Sequence, residues 1–496
     1  MLFPPPPART AQLAGELAHR ARALMCAFAT WCVFATCVAA QKPAGDDALG
    51  RLVAAEAAPL AQASDPLVRG EAALVLASTG EARWHETVLA VAKDDDARAR
   101  LRGILALGFL AAPGSETMLR ELLAASGTRV KPEGVAAAFA LGVMPDAIAP
   151  AEATDCLGHF LGSSMKRQRD VLLALLGGLG GHAPVLQQRG LLLVYDDSAN
   201  RDPQVRAALV LAMARIPATL TPARIEHALR TGAAEERRAV LQACARSVDP
   251  PASLLQLFAH HCEQDPDPQT RAAALAVLTR LRHLPALEVA ARAVRSNDPT
   301  EVEQATRSVL QLGGSSMRRA LEAELQGLGQ AQQAALLTAF QGPLDDDFAV
   351  AVQKIAGERK NPIALRTAAG LALTQAEVHA AVPVLRDVFL DARGAAPLRS
   401  LAHALLQLEQ PAPDLARLHD GRPDDLAEQP ERLAALLEAG HPQAARFCLE
   451  QLQRHNLPPA AAAGLLRAWR LAALPLPPDE LFVLLPQALR EILAPE

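Results

Sequence analysis

Apolar and small residues return along most of this chain with a helical beat inside a longer repeat. Laying DPLVRGEAALVLASTG (65–80) over DPQVRAALVLAMARI (202–216) and DPQTRAAALAVLTRL (267–281) aligns an Asp-Pro pair, an Arg three residues after the Pro, and an Ala/Leu-rich run. Taking the residue before that Arg as the anchor gives Val68, Ala99, Gln168, Val205, Arg237, Thr270, Leu365 and Leu398. Val302 and Gln333 keep the register without the Arg, and a weaker copy starts near Val135, so eleven copies lie 31 to 37 residues apart. After the anchors, small or apolar residues recur at +4, +7 and +8: Ala72, Val75, Leu76; Leu172, Leu175, Leu176; Leu209, Ala212, Met213; Leu241, Cys244, Ala245. The series continues through Ala274, Val277, Leu278, then Ala369, Ala372, Leu373, then Ala402, Leu405, Leu406. Those offsets fall on one stripe of a 3.6-residue helix, so each unit contains an amphipathic helix.

The Asp supplies an N-cap, and the Pro fills a first-turn position whose amide has no helical partner. A second apolar segment precedes each Asp, as in PALEVAARAV at 285–294, so the unit reads as two antiparallel helices joined by a tight turn. Small residues at +4 allow neighbouring helices to approach closely. A lone hairpin cannot cover its own apolar face; stability has to come from stacking on its neighbours.

The D-P-x-V-R-x-x-A-x-x-A-L pattern resembles the HEAT-repeat family, including its short phycobilin-lyase-like variety. The likeness covers about two thirds of the chain, and it implies an all-α fold: a right-handed α-solenoid of about 11–13 antiparallel helix hairpins. The expected shape is an open arc, about 100–130 Å long at 9–10 Å per layer, whose concave face binds another protein. The resemblance further implies a structural ladder between units, in which the turn Asp pairs with the Arg. Its candidate members are Asp65, Arg69, Asp96, Arg100, Arg169, Asp202, Arg206, Arg238, Asp267, Arg271, Asp298, Arg366 and Arg399. Glu303 takes the Arg position of its unit and would interrupt that ladder; the competing reading is that these charges only cap and solvate helix ends.

The ends differ from the middle. Residues 23–40, ALMCAFATWCVFATCVAA, carry no charge and follow Arg20 and Arg22. A basic flank, an apolar stretch and small Val38 and Ala40 predict that 1–40 is a secretory signal cleaved before Gln41, with an uncleaved membrane anchor as the alternative. Residues 41–64 read as a leading helix, and 65–410 as the repeat array. After Leu408 the Asp-Pro…Arg signature gives way to Pro411, Pro413, Pro423 and Pro430. Helices at about 425–439, 442–454, 458–473 and 478–493 then read as divergent hairpins over 411–496 that cap the array.

Composition narrows the function more than it names it. Half the chain is apolar but only 3% is aromatic, so Leu, Val and Ala must fill the core. A formal net charge of −5 argues against a general nucleic-acid binder. Beyond the leader, Cys156, Cys244, Cys262 and Cys448 are scattered without CxxC spacing, which supports neither a metal ribbon nor a disulfide framework.

Candidate chemistry is sparse. His260, His261, Cys262 and Glu263 are the densest group of possible ligands, yet adjacent helical positions diverge. His85 with Glu86 is similar to the His-Glu pairs by which one HEAT-like hydroxylase family holds iron, but that family uses several pairs and this chain has one. Gly177, Gly178, Gly180 and Gly181 lack the Lys-Ser/Thr of a phosphate loop and fit a helix end. No catalytic, cofactor or metal residues are therefore assigned. The expectation is a non-enzymatic, exported scaffold, periplasmic or extracytoplasmic, with no nucleic acid and no metal among its partners. A phycobilin-lyase or iron-hydroxylase type of enzyme, and an adapter tethered through residues 23–40, are the alternatives.

Overall fold

The computed structural model describes residues 47–125, 131–144, 169–179, 188–196, 202–214, 216, 219–247, 250–409, 412–418, 429–454, 457–474 and 477–494. The predicted signal at 1–40 lies outside them. Contacts divide the chain after Asp47, and Ala48–Glu496 forms one unit.

Among the described residues there is no strand, and 26 α-helices follow one another. The leading helix α1 (Asp47–Leu60) is followed by α2 (Pro66–Ser78), α3 (His85–Ala92), α4 (Ala97–Leu110), α5 (Ser115–Ala125) and α6 (Pro132–Val143). Next come α7 (Arg169–Leu179), α8 (Gln188–Asp196), α9 (Pro203–Met213), α10 (Pro222–Thr231), α11 (Ala234–Arg246) and α12 (Leu255–Gln264). The series goes on through α13 (Pro268–Arg280), α14 (Ala286–Ala293), α15 (Pro299–Leu312), α16 (Gly314–Glu324), α17 (Gln330–Ala339) and α18 (Asp346–Gly357). It ends with α19 (Ile363–Gln375), α20 (Val382–Asp391), α21 (Ala395–Leu408), α22 (Pro430–Glu438), α23 (Ala444–Leu452), α24 (Pro459–Ala473), α25 (Asp479–Phe482) and α26 (Gln487–Leu493).

The capping reading holds at Asp65, Asp96, Asp202, Asp267 and Asp298. Asp65 accepts the amides of Leu67 and Val68 at 2.8 and 3.1 Å, and Asp202 those of Gln204 and Val205 at 3.0 Å. Asp96, Asp267 and Asp298 cap α4, α13 and α15 through the amides of Arg98, Thr270 and Glu301. Such a cap contributes about 1 kcal/mol to its helix. The apolar stripe is also where the sequence puts it: every residue named at +4, +7 and +8 is buried except Ala245 and Leu406, which are half-buried.

The anchor-bearing helices pack side by side in chain order. With α22 and α24, which carry no anchor, thirteen helices form the series α2, α4, α6, α7, α9, α11, α13, α15, α17, α19, α21, α22 and α24, each against the next. Most of the remaining helices sit between consecutive members, as α3 does on α4, α12 on α13 and α14 on α15.

Small residues set the spacing at the tightest joints. A Cβ on Gly108 would lie 2.5 Å from Ala140 Cα, and one on Gly178 would lie 2.3 Å from the Phe139 carbonyl oxygen. Gly177 and Gly178 thus lie within α7 and permit close helix approach, rather than ending the helix as their sequence suggests; Gly180 and Gly181 lie outside the described residues.

The series also returns on itself. Helix α24 packs against α2 as closely as neighbours do elsewhere in the series. An open arc leaves its two ends facing solvent; here the last anchor-type helix covers the first. The C-terminal hairpins therefore do more than cap, because α22 and α24 carry the same packing onward despite lacking the Asp-Pro…Arg signature. The predicted fourth C-terminal helix is two short ones, α25 and α26, which pack on α7 and α6.

Candidate functional site

Arginines at or beside the expected ladder positions form ion pairs between units, but mostly with acids other than the turn Asp residues of the expectation. Arg69, four residues past its cap, forks onto Asp94 at 2.7 and 2.9 Å and also donates to the carbonyls of Ala63 and Ser64. Arg100 repeats this on Glu133, Arg206 on Glu236, Arg237 on Asp265 and Arg271 on Glu301. Each guanidinium thus ties a main-chain carbonyl ahead of its own helix to an acid of the following unit. Arg366 does the same, donating to the Ala356 carbonyl and to Asp391 at 2.9 Å. The five N-cap Asp residues are mostly committed to capping; of Asp65, Asp96, Asp202, Asp267 and Asp298, only Asp202 is paired with an Arg of another unit among the described residues, Arg169 at 3.1 Å.

Cap position decides which Arg serves. In α11 the N-cap is Ala233, which places Arg237 four residues on and Arg238 one step beyond. Arg238 instead meets the side-chain amide of Gln269, and Arg399, likewise five past its cap Gly394, meets Glu438. Glu303, five past Asp298, pairs within its own helix with Arg307.

These links are strongest where they are shielded. Asp94 is held below the usual carboxylate range by its hydrogen bond from Arg69. Burial pushes the Asp265 carboxyl up, but Arg237, the Asp267 amide and His261 outweigh it and hold it low. Tyr195, the single tyrosine of the chain, donates to Glu236 at 2.8 Å beneath the Arg206 guanidinium, which lies 4.4 Å from its ring centre. Burial first, and then the Glu236 charge, push its hydroxyl pKa up.

Two charged places on the anchor helices were not foreseen. The first is the joint of α24 with α2. Glu71, six past Asp65, has no exposed surface and accepts from Arg102 at 3.0 Å and from Arg470 at 2.9 Å, with Arg467 at 3.7 Å. Burial alone would raise the Glu71 pKa, but the charges of Arg470, Arg102 and Arg467 outweigh it and hold the carboxyl low. The one sequence signal was an acid inside an otherwise small and apolar run, GEAALVLA.

The second is a groove of about 360 Å³ across α11, α13 and α15. It is lined by Ala245, Ala272, Ala273 and Ala276 together with Arg238, Arg246, Arg307, Glu303, Gln242, Gln269, Gln304 and Thr300. None of its lining residues belongs to the intervening helices α12 and α14. At one side Arg246 pairs with Glu480 of α25, which reaches across from the C-terminal segment. Further along that segment, buried Leu485 lies over Gly177 of α7, 2.3 Å from where a Cβ would sit.

The other candidate residues do not converge. His261 Nδ1 lies 2.9 Å from Asp265, Cys262 is buried with its thiol pushed up to about 12, and His260 and Glu263 are exposed. His85 has Glu86 at 3.6 Å, and no group of three or more His, Cys, Asp or Glu able to hold a metal occurs among the described residues. Cys244, Cys262 and Cys448 are free and buried, while Cys156 lies outside the described residues. No described helix is long and apolar enough to cross a membrane, and residues 23–40 lie outside that statement. No family model matches the chain, and no curated protein matches it.

Proposed function

We propose that this protein is a non-enzymatic scaffold of the HEAT-like α-solenoid kind, and that it binds another protein on the exposed face of its anchor helices. The observation that carries this reading is the unbroken series of thirteen like helices, with polar, half-exposed side chains displayed together where α11, α13 and α15 meet. A stack whose units lean only on their neighbours presents a long continuous surface, and such surfaces suit macromolecules better than small substrates. The Arg ladder supports the same reading: its guanidiniums tie main-chain carbonyls to neighbouring units and carry no feature of a reaction site. The uncharged stretch after Arg22 supports export, with the partner met outside the cytoplasm.

A photo-reactive amino acid at Gln269, in the groove, should cross-link one protein in the native envelope fraction; the same group at Glu288, on intervening helix α14, should not. Purified protein carrying stoichiometric iron or the absorption of a tetrapyrrole would overturn this in favour of an enzyme.

A further inference from the structure

The groove across α11, α13 and α15 is built from one face of each helix. Residues 238, 242, 245 and 246 line it from α11, residues 269, 272, 273 and 276 from α13, and residues 300, 303, 304 and 307 from α15. These spacings of three, four and seven keep each set on a single stripe. Four of the lining residues are alanines, small enough for a main chain to lie close against them. Gln242, Gln269 and Gln304 are part of the lining; with Gln269 Oε1 taken by Arg238 and Gln304 Nε2 donating to Ser308, Gln269 can offer its N–H groups and Gln304 its carbonyl oxygen to the peptide groups of an extended segment. Three adjacent helices at 8–10 Å span roughly 20 Å, which holds about six residues of extended chain.

Charge then selects among peptides. The groove presents Arg238, Arg246 and Arg307 against one carboxylate of its own, Glu303. Arg307 is answered by Glu303, Arg238 meets the neutral amide of Gln269, and Arg246 is met by Glu480 from outside the groove. The chain thus already seats a foreign carboxylate on one groove guanidinium. Aromatic side chains, on which nucleic-acid bases would stack, are absent from the lining.

We infer that this groove receives an extended acidic peptide segment of the partner, and that Glu480 occupies at Arg246 the place of one of that segment's carboxylates. The inference rests on the scaffold reading above and gives its partner a chemical class. Binding frees Glu480 from Arg246 while the rest of the C-terminal segment, held through Leu485, can stay in place.

The test is fluorescence anisotropy on the full chain with a labelled ten-residue peptide of alternating Glu and Ser, beside its Lys-Ser and Gly-Ser counterparts. The Glu-Ser peptide alone should bind, with an affinity that falls as salt rises. R238E combined with R307E should weaken it tenfold or more, with helicity and thermal midpoint unchanged. E480Q, which removes the internal competitor, should tighten it about threefold to fivefold. Equal binding of the Lys-Ser peptide, or indifference to R238E/R307E, overturns the inference. If the acidic peptide fails to bind while the cross-linker at Gln269 still captures one protein, the peptide class is wrong and the scaffold reading stands; failure of both removes both.

Discussion

The joint between α24 and α2 and the groove across α11, α13 and α15 use the same kind of helix and mostly arginine, to opposite ends. At the joint, Glu71 is wholly buried among Arg102, Arg467 and Arg470, and the charges bind the chain to itself. In the groove, the guanidiniums stand at the surface with one carboxylate of the groove's own among them. Position along the repeat accounts for the difference. Glu71 and Arg102 lie six past their caps, on the side that meets the neighbouring helix, where the equivalent residues of α9 and α11 are Ala208 and Ala239. Arg238 and Glu303 lie five past theirs and face outward. A single step around the helix turns a charge from structural to available.

The largest effect should follow from breaking the buried side of this comparison. Glu71→Leu removes the carboxylate shared by three guanidiniums, and losing one partner of a buried ion cluster costs about 3–5 kcal/mol. Denaturant titration should show that loss, and hydrogen exchange should show α2 and α24 losing protection together. Unchanged exchange in α24 would mean that the joint does not depend on Glu71.

A smaller effect should separate two neighbouring arginines. Arg237→Ala cuts a forked, mostly shielded link to Asp265 and a hydrogen bond to the Gly232 carbonyl, and should cost about 1–2 kcal/mol. Arg238→Ala should cost under about 0.5 kcal/mol, since its partner is a surface amide. Equal losses in denaturant titration would erase the distinction drawn from cap position.

The mildest test is acid. Asp94, Asp265 and Glu71 are all held below their ordinary range in the folded chain, so the unfolded chain takes up protons first as pH falls. Their contribution is complete above the unfolded carboxylate range near pH 4 and disappears as pH drops through the lower folded values. Asp94→Asn should flatten stability against pH below the ordinary carboxylate range; an unchanged slope would show that its link to Arg69 is not felt.

Much of this architecture is legible in the sequence because it is local. A repeat period, a cap residue and a stripe at +4, +7 and +8 are all read within one helix, and Asp65, Asp202 and the buried Leu209–Met213 face follow from them. Ladder partners are less legible. The repeat register offered Arg238 as the ladder position of its unit, but the helix begins at Ala234, and that start makes Arg237 the one that reaches Asp265. The return of α24 to α2 is not local at all. It depends on a small rotation between units accumulated over twelve joints, which the spacing of anchors does not encode. Glu71 and Arg470 stand 399 residues apart, and neither position alone announces the other.

That return has a bearing on how the molecule comes undone. A linear stack loosens from its tips, where the outermost layer leans on one neighbour only. With Arg470 and Glu71 joined there is no outermost layer among the thirteen, so unravelling must start by parting some pair of neighbours. Any sufficiently weak pair then serves as the place to cut: severed at another turn and spliced from one terminus to the other, the same sequence should wind into the same circuit with its beginning moved.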